Sequence, residues 1–327
     1  MLKVCIFGGG AIGGHIAGHL ARDGQCEVTV VARGNTLEAI KKDGLKVITP
    51  TEEFTVRVNV SEDPKDFGVQ DYIFLTMKAH QVDEALEQIT PLMDEHTVVL
   101  PPTTGIPYYF FHNWEGELDN RQLKRIDRDG RQWQHLPPCQ VLGCVYWIGA
   151  HSVEPGVVAQ DGAKAGCPIG ELDGSHSKRV TQLSELLVSS GINCRVNDNI
   201  RAAIWVKFVN SLCWNPVAVL TLATLAEIND AGDVVPFVLK MMEEADSVAT
   251  SLGLDIPQPP EKRIAMTLNA GGHKMSMLQD LEQGRPLELE VLEQSIKAVS
   301  EISRVPTPTL DMVLALAKLR ASAIGKH

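Results

Sequence analysis

Residues Gly8-Gly9-Gly10-Ala11-Ile12-Gly13 match the spacing G-x-G-x-x-G, and their position constrains the fold more than any other feature of the chain. They follow an apolar run, residues 2–8, that reads as a short buried strand. They open a segment, residues 9–21, whose apolar side chains Ile12, Ile16 and Leu20 recur at helical spacing. Between a strand and a helix this pattern cradles a pyrophosphate. Gly8 permits the tight turn, Gly10 lets the backbone approach the phosphates, and Gly13 lets the helix pack closely on the strand. The first N–H groups of the helix, with its dipole, attract the negative charge. Gly8, Gly10, Ala11, Ile12 and Gly13 are therefore candidate cofactor contacts. A glycine-rich turn without a ligand is the plainer alternative, and the flanking strand and helix weigh against it.

The same alternation continues. Strands are expected at 26–32, 72–76 and 97–100, and helices at 36–42 and 82–92, with a polar hairpin-like excursion at 45–60. Strands alternating with helices at this spacing imply a parallel sheet with right-handed crossovers. Periodicity is lost from Pro107 to Pro138, where Asp129-Gly130 reads as a hairpin turn. A strand at 140–148, short antiparallel strands at 156–160 and 168–171, a helix at 177–190 and a last strand at 193–196 come next. Beyond about Asp198 nearly everything reads as helix, with breaks at 253–260 and 306–308. The expected architecture is α/β: a Rossmann-type, doubly wound, mainly parallel sheet over 1–197, then an all-α domain over 198–327.

The end of the second strand bears on the cofactor. An acid there binds the ribose 2′-OH of NAD. This chain has Val31-Ala32-Arg33-Gly34, with no acid, and Arg33 lies twenty residues past Gly13. A guanidinium at that position suits a 2′-phosphate, which points to NADP(H). A surface arginine after a strand is the competing reading.

Charge and cysteine usage exclude several classes. The 30 basic and 41 acidic side chains leave a formal net charge of -11, which argues against a nucleic-acid partner. The 7 cysteines are scattered without paired metal-ligand spacing, and His80 and His273 stand alone, so no metal is assigned. An odd cysteine count fits a reducing compartment. No signal-peptide pattern and no uncharged apolar run of about 20 residues is present, so no membrane partner is expected and the expected location is the cytoplasm.

Residues 204–216 are strongly apolar, yet carry Lys207, Ser211 and Asn215 at intervals of four, on one face of a helix. Desolvation would lower the pKa of such an amine and let it donate a proton near neutral pH. A lysine snorkelling from a core helix explains the stripe as well. The stripe alone leaves both readings open.

Together these features resemble the ketopantoate reductase (2-dehydropantoate 2-reductase) family over nearly the whole length. The resemblance rests on the Gly8–Gly13 turn, Arg33, Thr76-Met77-Lys78-Ala79-His80-Gln81, Trp205-Val206-Lys207 with Asn215-Pro216, and Ser276-Met277-Leu278-Gln279-Asp280 with Glu288 further on. It implies NADPH-dependent reduction of a 2-keto acid, with Lys207 as general acid and Glu288 positioning it and binding the substrate hydroxyl. It implies substrate contacts from Lys78, Ser211, Asn215 and Ser276, and cofactor contacts from Lys78 and Thr104. Asp280 reads as structural, and a homodimer is left open.

Three positions depart from the family pattern. Thr104 stands where an asparagine precedes glycine, Ser211 replaces an asparagine, and His273 replaces another. They put the substrate in question more than the reaction. Reduction of another branched or aromatic 2-keto acid is therefore the first alternative, and the run Tyr108-Tyr109-Phe110-Phe111 is either a pocket wall or simply core. A non-enzymatic NADP-binding sensor is the second.

Overall fold

The computed structural model describes residues 1–324, apart from the Lys164 side chain; the end of the expected helical half, residues 325–327, lies outside them. The chain forms two compact units. The first holds residues 1–103, 108–122 and 129–200. The second takes everything from Arg201 together with two short segments from the earlier part of the chain, 104–107 and 123–128.

The first unit's strands are, in chain order, β1 (Leu2–Phe7), β2 (Cys26–Val31), β3 (Leu45–Ile48), β4 (Glu53–Val56), β5 (Asn59–Ser61), β6 (Tyr72–Leu75), β7 (Val98–Leu100), β8 (Gly143–Cys144), β9 (Trp147–Glu154), β10 (Val157–Gly166) and β11 (Ile169–Gly170). Its helices are α1 (Ala11–Asp23), α2 (Gly34–Asp43), α3 (Val82–Ile89), α4 (Arg131–His135) and α5 (Lys178–Ser189). The main sheet has the order β5-β2-β1-β6-β7, and every pairing in it is parallel. Val4, Cys5, Ile6, Ile73, Phe74, Leu75, Val99 and Leu100 are each 0% exposed, as expected of strands covered on both faces. The strand order reverses direction between β1 and β6, which is where open parallel sheets form a crevice at their carboxyl ends. The Rossmann-type sheet and the helical second half expected from the sequence are both present.

A second, mixed sheet has the order β4-β3-β10-β9. The polar excursion at 45–60 resolves into the β3–β4 hairpin, while β5 joins the main sheet. Three local expectations fail. Asp129-Gly130 is no hairpin turn: Gly130, with φ 69°, precedes the short helix α4. Residues 123–128 join the second unit, so the dipeptide has no upstream strand to pair across it. The expected strand at 140–148 splits into β8 and the start of β9. Asn193 and Val196 make only isolated parallel bridges, to Gly166 and Ile169.

The second unit is helical: α6 (Ile200–Thr221, its first residue in the first unit), α7 (Leu225–Asp230), α8 (Val234–Ser251), α9 (Pro260–Leu268), α10 (Ser276–Glu282), α11 (Leu289–Ser303) and α12 (Pro308–Ile324). Helix α8 packs against α7, α9, α11 and α12. Helix α6 is long and apolar enough to cross a membrane, with a mean hydropathy of 1.3, but 67% of that stretch is buried, as in a core helix. Trp205, Phe208, Leu212 and Trp214 are fully buried along it.

At Gly13 a Cβ would lie 2.0 Å from the Gly8 carbonyl oxygen and 2.4 Å from Thr76 Oγ1. At Gly10 a Cβ would meet nothing within 4 Å. Gly13→Ala is therefore expected to cost about 1–3 kcal/mol through overpacking. Gly10→Ala should stay within about 1 kcal/mol of the parent. Urea denaturation of the two variants checks this; equal stability would contradict it.

Candidate active site

The phosphate-binding candidates sit at the carboxyl end of β1. Gly8 has φ 119°, a conformation costly for any side chain, and its N–H donates to the Val31 carbonyl at 3.0 Å. Thr76, just past β6, donates from Oγ1 to the Gly8 carbonyl at 2.8 Å, tying the turn to the neighbouring strand. Gly10 is the N-cap of α1, and no side chain caps that helix end. An uncapped helix start beside a glycine that no protein atom crowds fits a dinucleotide's phosphates on the N–H groups of Ala11, Ile12 and Gly13. Arg33 is exposed past β2, at the N-cap of α2. Lys78 is half-buried past β6, and its backbone N–H donates to Gln81 Oε1 at 3.1 Å. All of these belong to the first unit.

The second unit carries the other group. Lys207 keeps a small accessible face on α6, and burial pulls its ammonium down to about 8 from the usual 10.5, with the Glu288 carboxylate opposing the drop. Glu288 is 6% exposed and stands at the N-cap of α11. Thr104, an expected cofactor contact, donates from Oγ1 to Oε2 of Glu288, the carboxylate that opposes the drop in the lysine's pKa, at 3.3 Å. Two further bonds register α6. Trp205 Nε1 donates to Asp246 Oδ1 at 3.4 Å, and Thr267 Oγ1 donates to Asn210 Oδ1 at 2.8 Å. Asp246 also accepts from the buried Arg263.

Asn215 is 1% exposed, and its amide is engaged within the protein. Nδ2 donates to the Ser211 carbonyl at 3.2 Å. Oδ1 accepts from the Met277 N–H at 3.0 Å and from Ser276 Oγ at 3.4 Å. Asn215 thus satisfies an N–H in the first turn of α10 and holds Ser276 at that helix start. Ser211 is half-buried. Asp280 is 3% exposed and accepts from Arg285 Nε at 2.7 Å, a structural bond. Tyr108, Tyr109, Phe110 and Phe111 are each at most 2% exposed and stack edge-to-face as core of the first unit.

The comparison with known proteins then decides the family. The family model described as "Ketopantoate reductase PanE/ApbA" matches residues 4–107, and its C-terminal counterpart matches 199–321. The chain belongs to the ketopantoate reductase family. It is 39% identical over 324 residues to a 2-dehydropantoate 2-reductase of Mesorhizobium japonicum, covering 99% of both chains. A crystal structure of a candidate ketopantoate reductase from Ralstonia solanacearum superposes with a TM-score of 0.91 at 33% identity, covering 99% of each chain. A D-mandelate dehydrogenase bound to NADH and anilino(oxo)acetate shares the fold, with a TM-score of 0.83 at 21% identity over 99% of each chain. This member of the ketopantoate reductase family is an oxidoreductase acting on a CH–OH group, and its cofactor is a nicotinamide dinucleotide.

Thr76 stands within a quoted motif that gave it no role, and no pattern marked Ser295, a fully buried residue of α11 whose Oγ accepts the Ile106 N–H at 3.0 Å. Thr76 had a signal, since it follows a strand next to the glycine turn. A serine inside an amphipathic helix has none, because its partner lies elsewhere in the chain. Asn215→Leu is expected to destabilise the protein by about 0.5–2 kcal/mol, as for the loss of a helix cap. An unchanged urea midpoint would remove the capping role.

Proposed function

We propose that the chain reduces ketopantoate, or a closely related 2-keto acid, to the 2-hydroxy acid with NADPH, and that Lys207 is the general acid. The observation that carries this reading is an ammonium whose pKa is lowered by burial to about 8, opposed by a buried carboxylate. A general acid works best when its pKa lies near the working pH.

The Gly8–Gly13 turn, Arg33 and Lys78 would hold the cofactor, with Arg33 on the 2′-phosphate. Bound there, the dinucleotide supplies the hydride. Lys207 donates its proton to the carbonyl oxygen of the substrate as that oxygen becomes a hydroxyl, and its positive charge stabilises the developing alkoxide. Glu288 keeps the amine charged and aimed, and accepts a hydrogen bond from the new hydroxyl. Lys78 and Ser276 would bind the substrate carboxylate. Ser211 and Asn215 would line the substrate's polar groups, Asn215 chiefly through its hold on Ser276. Thr104, Ser211 and His273 favour a second reading in which another branched or aromatic 2-keto acid is the substrate. NADPH oxidation against a panel of 2-keto acids separates the two, and ketopantoate leading by a wide margin removes the second. The 39% identity to a reductase along the whole chain supports an enzyme rather than a sensor.

Lys207→Ala should cut turnover by at least about 100-fold. The ammonium is the proton-bearing form and is lost above its pKa of about 8. The parent's kcat/KM for reduction should therefore be level below that pH and fall about tenfold per unit well above it. A profile still rising above pH 9, or full turnover in the variant, would end the assignment. Arg33→Ala should narrow the preference for NADPH over NADH by about tenfold; equal affinity of the parent for both cofactors would remove Arg33's role.

A further inference from the structure

The segment 104–107 clusters with the helical unit, although the residues on either side of it do not. Its anchor is α11. Ser295 is 0% exposed, and its Oγ accepts the Ile106 N–H at 3.0 Å. Gly105 has φ 82°, and a Cβ there would stand 2.5 Å from Ser295 Oγ and 2.9 Å from Val291 Cγ1. Only a glycine lets the backbone come this close to the helix. Seven residues, two helical turns, separate Ser295 from Glu288, so the two side chains share one flank of α11 and its approach. The segment held by Ser295 presents Thr104 Oγ1 to Glu288 Oε2 at 3.3 Å.

We infer that Thr104 is a positioning residue for the Glu288–Lys207 pair, and that Ser295, through the close approach of Gly105, sets Thr104 in place. This rests on the reading of Lys207 as the acid.

A carboxylate that accepts a donated hydrogen bond keeps its rotamer. Without the Thr104 hydroxyl, Glu288 loses its bond at Oε2 and offers the ammonium a less firmly directed, weaker counter-charge. Ser295 acts one step further out. Without its Oγ the buried Ile106 N–H loses its acceptor, and the cheapest relief is movement of the segment. A hydroxyl that contacted cofactor or substrate directly would change their binding. One that acts through Glu288 changes the acid.

The test compares Thr104→Val, Thr104→Ser and Ser295→Ala with Lys207→Ala in full-length protein. The readouts are kcat, KM for NADPH and for the 2-keto acid, the alkaline limb of the pH profile, and an NMR titration of the Lys207 side chain without substrate. Thr104→Val and Ser295→Ala are expected to lower kcat about tenfold with both KM values within twofold. They should lower the alkaline limb and the Lys207 titration by about half a unit, because a weaker counter-charge favours the neutral amine. Thr104→Ser keeps the hydroxyl and should restore both. If Ser295→Ala does not fold, Thr104→Val decides alone. A Thr104→Val change confined to KM for either ligand, or an unmoved Lys207 titration, overturns the inference while Lys207→Ala stays inactive. Turnover surviving in Lys207→Ala would instead overturn the reading of the acid, and the NMR titration would still decide whether Thr104 acts on Glu288.

Discussion

An ammonium drawn out of water is expensive, and the helical unit carries one in Lys207. Lys207 lies on α6 between the fully buried Trp205 and Phe208. Burial lowers its pKa and the Glu288 carboxylate opposes the drop, which leaves it at about 8. That balance requires Glu288 to be buried, charged and fixed in direction. Its place at the start of α11 and the Thr104 hydroxyl meet those needs. Helix α6 is also tied to its neighbours on either side of Lys207 in sequence, by Trp205 to Asp246 and by Thr267 to Asn210.

The turn proposed to hold the cofactor's pyrophosphate uses almost no side chains. Pyrophosphate recognition needs backbone N–H groups brought close to a ligand, which is a matter of φ angles and missing Cβ atoms. Thr76 braces the turn from the neighbouring strand, at the point where the sheet order reverses. Such a site is compact in sequence because its parts are adjacent along the chain.

This explains what could be read in advance. The glycine turn, the basic residue after β2 and the alternation of strand and helix are local patterns. The polar stripe of α6 is local too, and it singled out Lys207, Ser211 and Asn215. It could not apportion their work. Asn215 spends its amide on the start of α10, sixty-odd residues away along the chain, and so acts first as a cap. Asp129-Gly130 misled for the opposite reason. The dipeptide suits a hairpin, but its upstream flank was drawn into the other unit.

The amino-acid sequence by itself determined the glycine turn between strand and helix, the parallel sheet, the helical second half and the apolar helix that carries Lys207. Each depends on residues within a few positions of one another, whose sterics and periodicity need no distant partner. Tertiary structure alone decided that Thr104 faces Glu288, that Ser295 holds the segment between them, and that the lysine's proton is loosened. Those facts depend on hydrogen bonds between residues 184 and 189 positions apart and on desolvation by packed neighbours. No local pattern encodes which distant side chain will arrive.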